Sequence, residues 1–501
     1  MTTGRPERHL RSHVARGAIV NGLFLGGTEL LVLAQGLIVT VILGPKSIGL
    51  YGIVTATAVT IAQLRRVGID EAFVAQEEAD QEAEFQKAFS LDVTFSAIFS
   101  GLILLAAPVV AVLYDDWRLL PLTAAVAYLP VAFALQAPTW VFARSMDFMA
   151  QRRLLAVVPI VTFVVTVPLA AAGLGVWSLV IGPFVGNLAG VVVAIRASPY
   201  SLRLRFDAEA RKRYLHFSWP VFATSLLVLA LLQGQLIAFN AWGGLQAAGY
   251  ITLATTFTRY ADRADLVVGA TIYPAICAVK DRIATLEELF VKSTRLTMVW
   301  SLPLCAAFIL FSGDFVEFVL GDDWDGAVVL LQGMGAVVGL QQIGFIWFTF
   351  YRARGETKPH AIETAVIFAG FLAFAVPGLA LWGAGGFVWG RILGVAIALG
   401  VRRWYVKRLL PGVELLALGA RALVPVAAGA AAAYALRLAL WGGSRGAAQA
   451  VAEIVLFLVG TAAATWALER PLLAEARDYV RRRRGGVAAD VSAPLGEPVA
   501  S

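Results

Sequence analysis

Gly44-Pro-Lys-Ser-Ile-Gly49-Leu-Tyr51 closes the apolar run 18–43, and Gly244-Leu-Gln-Ala-Ala-Gly249-Tyr250 closes the run 215–240. Both stretches set two glycines five residues apart in a turn. Both then lead into a Thr/Ala-rich helix, Val54–Ile61 in one case and Ile251–Thr258 in the other. A second echo, Gly182-Pro-Phe-Val-Gly186 against Gly390-Arg391-Ile-Leu-Gly394, follows in the same order. The copies lie 200 residues apart in the first pair and 208 in the second. Small-xxx-small spacing is common wherever membrane helices pack closely, so one echo carries little. Two in order, six apolar runs apart, point to an internal duplication. An even number of crossings between copies makes the repeats parallel, related by an axis along the membrane normal.

Composition sets the environment. Of 501 residues, 59% are hydrophobic and only 15% charged, and mean hydropathy is +0.75. A soluble globule carries about a quarter charged residues, so this is an integral membrane protein. About fourteen runs reach bilayer-spanning length: 18–43, 48–70, 88–113, 119–143, 154–173, 176–196, 215–240, 247–277, 290–312, 326–351, 360–382, 385–401, 415–440 and 448–469. The expected fold is all-α and membrane-embedded, with two pseudo-symmetric six-helix lobes around a central cavity and two added C-terminal helices. The chain divides into a basic N-terminus (1–17), an N-lobe of helices 1–6 (18–200), a C-lobe of helices 7–12 (201–408), helices 13–14 (409–470) and a disordered cytoplasmic tail (471–501).

Basic residues alternate between loops. Arg65/Arg66/Lys87, Arg144/Arg152/Arg153, Arg196 through Arg213, Lys280/Arg282, Arg352/Arg354/Lys358 and Arg402/Arg403/Lys407/Arg408 fall on one side. The other side holds mainly Asp115, Asp116, Asp314, Asp322, Asp323 and Asp325. The positive-inside rule then places both termini in the cytoplasm. It also accounts for a pI near 9.5 and a net charge of +7 without nucleic acid. The first run exceeds a signal-peptide core and lacks a cleavage site, so it reads as a retained helix. Cys277 and Cys305 read as apolar fillers, and His216 has no assigned role. There is no zinc spacing, phosphate-cradling loop or Ser/His/Asp set, so no catalytic residue, metal or cofactor is expected. Asp322-Asp323-Trp-Asp325 reads as a solvated loop. The short outer loops leave no room for the large external domain that a sugar-joining enzyme needs.

Charges inside the runs mark the site. Arg259, Asp262, Arg263 and Asp265 all fall in the eighth run. A central Arg or Asp costs roughly 2.5–3.5 kcal/mol on insertion scales, so the four together would cost about 10–14 kcal/mol facing lipid. That face must therefore line a cavity or bury its charges. In an α-helix Arg259, Asp262 and Arg263 share one face, and two arginines against one aspartate suit a phosphate, with Asp262 orienting them. The competing reading is a self-neutralised cluster that locks the lobes. Arg391, between Gly390 and Gly394, either points inward or snorkels to the nearer interface. Glu29, Asp92 and Glu363 are the in-span carboxylates that could couple to protons. Arg65 and Arg66 would sit at the cavity mouth.

Four segments in order resemble a known family: Leu43-Gly-Pro-Lys-Ser-Ile-Gly-Leu-Tyr51, Val67-Gly-Ile-Asp-Glu-Ala-Phe73, Arg144-Ser-Met-Asp-Phe148 and Gly173-Leu-Gly-Val-Trp-Ser-Leu-Val180. Together they resemble the polysaccharide transporter branch of the MOP superfamily, the Wzx-type flippases. The resemblance implies a V-shaped pair of six-helix bundles in the bacterial cytoplasmic membrane. It also implies a cargo of oligosaccharide units on undecaprenyl diphosphate, turned from inner to outer leaflet by alternating access for exopolysaccharide, O-antigen or capsule synthesis. A cationic cavity is expected in such proteins, which fits Arg259 and Arg263. Membrane lipids are further partners, and polysaccharide polymerase and glycosyltransferases are candidate protein partners. Where many relatives carry an aspartate in the seventh helix, this chain reads Leu232-Gln-Gly-Gln-Leu236. The alternatives are a lipid II flippase or a cation-coupled drug exporter of the same superfamily. From another class, a membrane-embedded glycosyltransferase or polymerase lacks its large loop with a carboxylate pair.

Overall fold

The computed structural model describes residues 6–64, 69, 73, 80–145, 147–207, 219–279, 282–356, 358–440 and 446–470. Arg65, Arg66, His216, Lys280 and the tail at 471–501 lie outside the described residues. Those described are mostly helical, without a strand. In chain order the helices are α1 (Pro6–Leu64), α2 (Gln81–Leu113), α3 (Leu119–Ala125), α4 (Leu129–Leu135), α5 (Pro138–Arg144), α6 (Phe148–Ala171), α7 (Ser178–Ala197), α8 (Trp219–Thr258), α9 (Arg263–Ala278), α10 (Ile283–Phe315), α11 (Val328–Gln342), α12 (Trp347–Ala353), α13 (Lys358–Gly370), α14 (Val376–Leu409), α15 (Leu415–Leu440) and α16 (Ala447–Leu468). The burial pattern is inverted relative to a soluble protein. Leu105, Trp382 and Trp389 are more than two-thirds exposed, while Asp92, Asn187, Glu363 and Arg402 are buried.

Eleven helical segments among the described residues are long and apolar enough to cross a membrane, where fourteen runs were expected. The difference arises at glycine bends. α1, α8 and α14 each pass through a bend where a loop was expected, with φ of 69° at Gly44, 66° at Gly244 and 64° at Gly383. Only glycine takes such φ without strain. Pro45 bars the α conformation at Gly44 and then opens the next helical stretch at its first position. The bend thus reverses the chain without a loop between the two helical stretches.

Both members of the second echo do the same work. A Cβ on Gly182 of α7 would fall 1.8 Å from Thr166 Oγ1 of α6, and one on Gly186 would fall 2.1 Å from Thr162 Oγ1. In the later copy, a Cβ on Gly390 of α14 would fall 2.4 Å from the Phe374 carbonyl oxygen, and one on Gly394 3.2 Å from Gly370 Cα. Each glycine pair lets its helix lie against the segment that precedes it. The first echo packs against itself. A Cβ on Gly49 would meet Leu245 O at 2.1 Å, and one on Gly249 would meet Pro45 O at 2.0 Å. The contact is reciprocal, as a pseudo-two-fold axis requires.

Of the other segments that carry the resemblance, 144–148 and 173–180 hold a cap and a turn, while of 67–73 only Ile69 and Phe73 are described. Asp147 caps α6 by accepting from Ala150 N at 3.0 Å. Arg144 Nη1 donates to the Phe73 carbonyl at 3.1 Å and stacks over that ring, joining two of the segments. Gly173 and Gly175 have φ of 85° and 58° in the turn from α6 to α7, where Ser178 Oγ donates to Gly175 O. These residues specify the fold rather than a ligand.

Valine at Gly249 should lower the thermal midpoint of the purified protein, because its Cβ meets backbone; overpacking of this kind costs about 1–3 kcal/mol. Gly101→Ala, where nothing lies within 4 Å, should leave the midpoint unchanged in the same assay.

Candidate functional site

The charged stretch of the eighth run falls where the helix changes pitch. α8 ends at Thr258, residues Arg259–Asp262 form a 3-10 turn, and α9 starts at Arg263. Three residues per turn replace 3.6 here and bring positions three apart into register, so Arg259 and Asp262 keep a common face while Arg263 is turned away from it. Asp262 turns inward and accepts from Gln342 Nε2 of α11 at 2.7 Å. Arg259 and Arg263 are exposed. Among the described residues neither arginine is ion-paired to Asp262, so the expected orienting role of that aspartate is replaced by a bond to α11.

Arg263 instead crosses to the first repeat. Its Nη2 lies 3.1 Å from Glu29 Oε2 of α1, and its guanidinium lies 5.9 Å from the Tyr260 ring. Counting two arginines against one aspartate therefore omitted Glu29, whose approach depends on how the repeats meet. Arg259 holds no ion pair among the described residues and is the exposed cation of the cluster. Three further polar contacts stitch the same seam. Gln233 Nε2 donates to Thr57 Oγ1 of α1 at 2.8 Å, Tyr114 Oη donates to Gln233 Oε1 at 3.2 Å, and Asn240 Nδ2 donates to Tyr114 O at 3.4 Å. Gln233 belongs to the Leu232-Gln-Gly-Gln-Leu236 stretch, where a neutral amide spans the seam.

The remaining candidates lie apart from this cluster. Asp92 is buried within α2. Arg391 is 4% exposed, its Nε has no acceptor, and it pairs with no carboxylate among the described residues, so it does not snorkel. Glu363 of α13 is fully engaged. Arg402 Nε donates to its Oε1 at 2.7 Å and Trp347 Nε1 to its Oε2 at 3.1 Å, while Arg402 Nη1 donates to the carbonyls of Gln341 and Ile343. Arg402 is buried at 3% exposure, not in a basic loop as its neighbours suggested. A signal was present in the sequence: Arg402 lies eleven residues after Arg391, three helical turns along one face.

The seam between α1 and α8 combines a buried apolar core with this ion pair and these neutral bonds, and the polar contacts are the part that can exchange at low cost. The guanidinium of Arg259 lies exposed beside the seam. The family model described as polysaccharide biosynthesis protein matches residues 38–329. The chain belongs to that family. No sequence among the curated proteins matches it. Its fold is similar to that of the lipid II flippase MurJ in an inward closed conformation, at 12% identity and a TM-score of 0.69, covering 91% of this chain and 100% of that one. A multidrug resistance MATE family transporter of the MOP superfamily is similar in its inward-facing conformation, at 15% identity and a TM-score of 0.62, with 77% and 96% covered. An outward-facing MATE transporter matches at 17% identity and a TM-score of 0.54, with 82% and 96% covered. The protein is thus a transmembrane member of the polysaccharide biosynthesis family with a MOP transporter fold.

Removing one partner from the buried Glu363–Arg402 pair strands a charge, at a cost of about 3–5 kcal/mol. Glu363→Ala should therefore markedly lower the thermal midpoint of the purified protein. Glu29→Gln breaks an exposed pair worth about 0–1 kcal/mol and should leave that midpoint nearly unchanged.

Proposed function

We propose that the protein flips oligosaccharide units linked to undecaprenyl diphosphate across the bacterial cytoplasmic membrane by alternating access. The observation that carries this reading is the 3-10 turn Arg259–Asp262, which presents Arg259 exposed and, among the described residues, without an ion pair, beside an ion pair, Glu29–Arg263, that joins the repeats. A diphosphate entering there would replace Glu29 as the partner of Arg263 and add Arg259, with forked donors matched to phosphate oxygens. The exchange opens the seam as the cargo binds. Arg391, buried within α14, is assigned no headgroup contact in this conformation.

In this reading the chain forms an N-lobe and a C-lobe, crosses the membrane once on each side of every glycine bend, and keeps both termini in the cytoplasm. The bend end, closed by Gly49 and Gly249, then faces outward. Two observations support that sidedness: the basic loops gather at the opposite end, and the similarity is greater to inward-type than to outward-facing relatives. The lipid II flippase reading shares this chemistry and differs only in the sugar. A drug exporter for cationic compounds is less well supported, because the exposed unpaired group of the site is a cation.

Complementation of a flippase-deficient strain tests the reading. Wild type should restore surface polysaccharide. Arg259→Ala/Arg263→Ala should fail to, by at least about tenfold if each lost phosphate bond is worth 1.5–3 kcal/mol, at an equal level of membrane-inserted protein. Rescue by both would remove the diphosphate from this turn.

A further inference from the structure

The helices α10, α15 and α16 meet at a charged cluster far in the sequence from the proposed headgroup site. Arg295 of α10, Arg421 of α15 and Glu469, just past the end of α16, line one cleft together with Met298, Pro425 and Val426. Arg295 Nη2 donates to Glu469 Oε2. Arg421 Nε lies 3.7 Å from Glu469 Oε1, beyond hydrogen-bond reach, and its guanidinium makes no hydrogen bond among the described residues. One carboxylate thus faces two guanidinium groups. A third, that of Arg470, follows in the chain and stacks over the Trp466 ring at 3.9 Å on the adjoining face of α16. The carboxylates nearest in sequence are engaged elsewhere: Glu287 accepts from Gly412 N, Glu288 pairs with Lys292, and Glu414 pairs with Arg403 and Lys407.

Position along the helices sets the depth of this cluster. No charge occurs in 296–313, 422–436 or 454–468, the stretches that lead from Arg295, Arg421 and Glu469 into the bundle. All three residues therefore mark one membrane boundary, with α10 and α15 running inward from it and α16 returning to it. Met298, Pro425 and Val426 form the deeper, apolar part of the cleft. Beside it, Leu423, Val424 and Trp466 are exposed to lipid chains. The positive-inside rule asks only that basic side chains gather on one side of the membrane. It does not account for Arg295, whose side chain is 20% exposed and held within the cleft.

We propose that this cleft binds one anionic glycerophospholipid, its phosphate on Arg421 and its acyl chains along the apolar surface of α15 and α16. The forked donors of Arg421 match two phosphate oxygens. Arg295 and Arg470 add positive field, and Glu469 keeps Arg295 in place. Basic pockets between membrane helices suit such headgroups. A lipid held there staples α15 and α16 to α10, whatever cargo the protein moves. Native mass spectrometry of the delipidated full chain in detergent tests this, with phosphatidylglycerol as the probe and phosphatidylcholine as the zwitterionic comparison. Wild type should retain one phosphatidylglycerol about tenfold more tightly than Arg421→Ala does, the worth of one charge-assisted bond. Arg421→Lys should fall between the two. Arg354→Ala, exposed in another basic loop, should match wild type. Arg421 is 59% exposed, so its variants should keep the wild-type thermal midpoint. Equal retention of phosphatidylcholine, or retention that Arg421→Ala leaves unaltered, overturns the proposal. Displacement by millimolar inorganic phosphate overturns it in favour of a free-anion site, and displacement by equimolar undecaprenyl phosphate in favour of the cargo path. None of these readings depends on flipping, so a failed complementation leaves the test standing.

Discussion

The contact between Gly49 and Gly249 is the constraint on which the rest of the structure depends. Backbone meets backbone there, at Leu245 O on one side and Pro45 O on the other, with no room for a side chain. Small residues of this kind let membrane helices approach where lipid offers no hydrophobic drive. The reciprocity of the contact fixes the pseudo-two-fold axis. The axis brings α1 against α8, and that register carries Glu29 to Arg263. An ion pair between residues more than two hundred positions apart thus follows from two glycines near the opposite end of the same helices.

Polar groups are distributed unequally along this frame. Beside its apolar core the seam carries an exposed ion pair and neutral amide bonds, which are individually weak and can exchange partners. Behind it, the second repeat holds the buried Arg402–Glu363 pair, in which both Glu363 oxygens accept and Arg402 donates through Nε and Nη1. Breaking a buried pair is far costlier than breaking an exposed one. The polar contacts of the seam are therefore cheaper to exchange than those of the buried pair. The 3-10 turn at Arg259–Asp262 lies where the two regimes meet, and short stretches of this pitch within long helices often mark hinges.

Much of the fold was legible in the chain because the bilayer restricts it to helices and because duplication leaves ordered echoes. Gly182 with Gly186 and Gly390 with Gly394 were legible as packing sites from spacing alone. The bends were legible as turns but not as loop-free reversals, since positive φ at Gly44, Gly244 and Gly383 leaves no polar segment to read. The site was harder. The shared face of Arg259, Asp262 and Arg263 presumed an α-helix, whereas the 3-10 turn keeps only Arg259 and Asp262, three apart, in register. Glu29 and Gln233 find their partners only through the docking of the repeats, which no local pattern encodes. Arg402 was masked by the basic residues beside it, although its register with Arg391 placed it on the buried face.

Leaflet transfer with the seam locked tests the central claim most directly. Cys277 and Cys305 are replaced by alanine, cysteines are placed at Lys46 and Gln246 on the two sides of the contact, and the protein is reconstituted into vesicles with a fluorescent oligosaccharide on undecaprenyl diphosphate. The account predicts that bridging the pair with a short reducible crosslinker abolishes transfer of the labelled lipid, and that reduction restores it. Undiminished transfer by the crosslinked protein would contradict it.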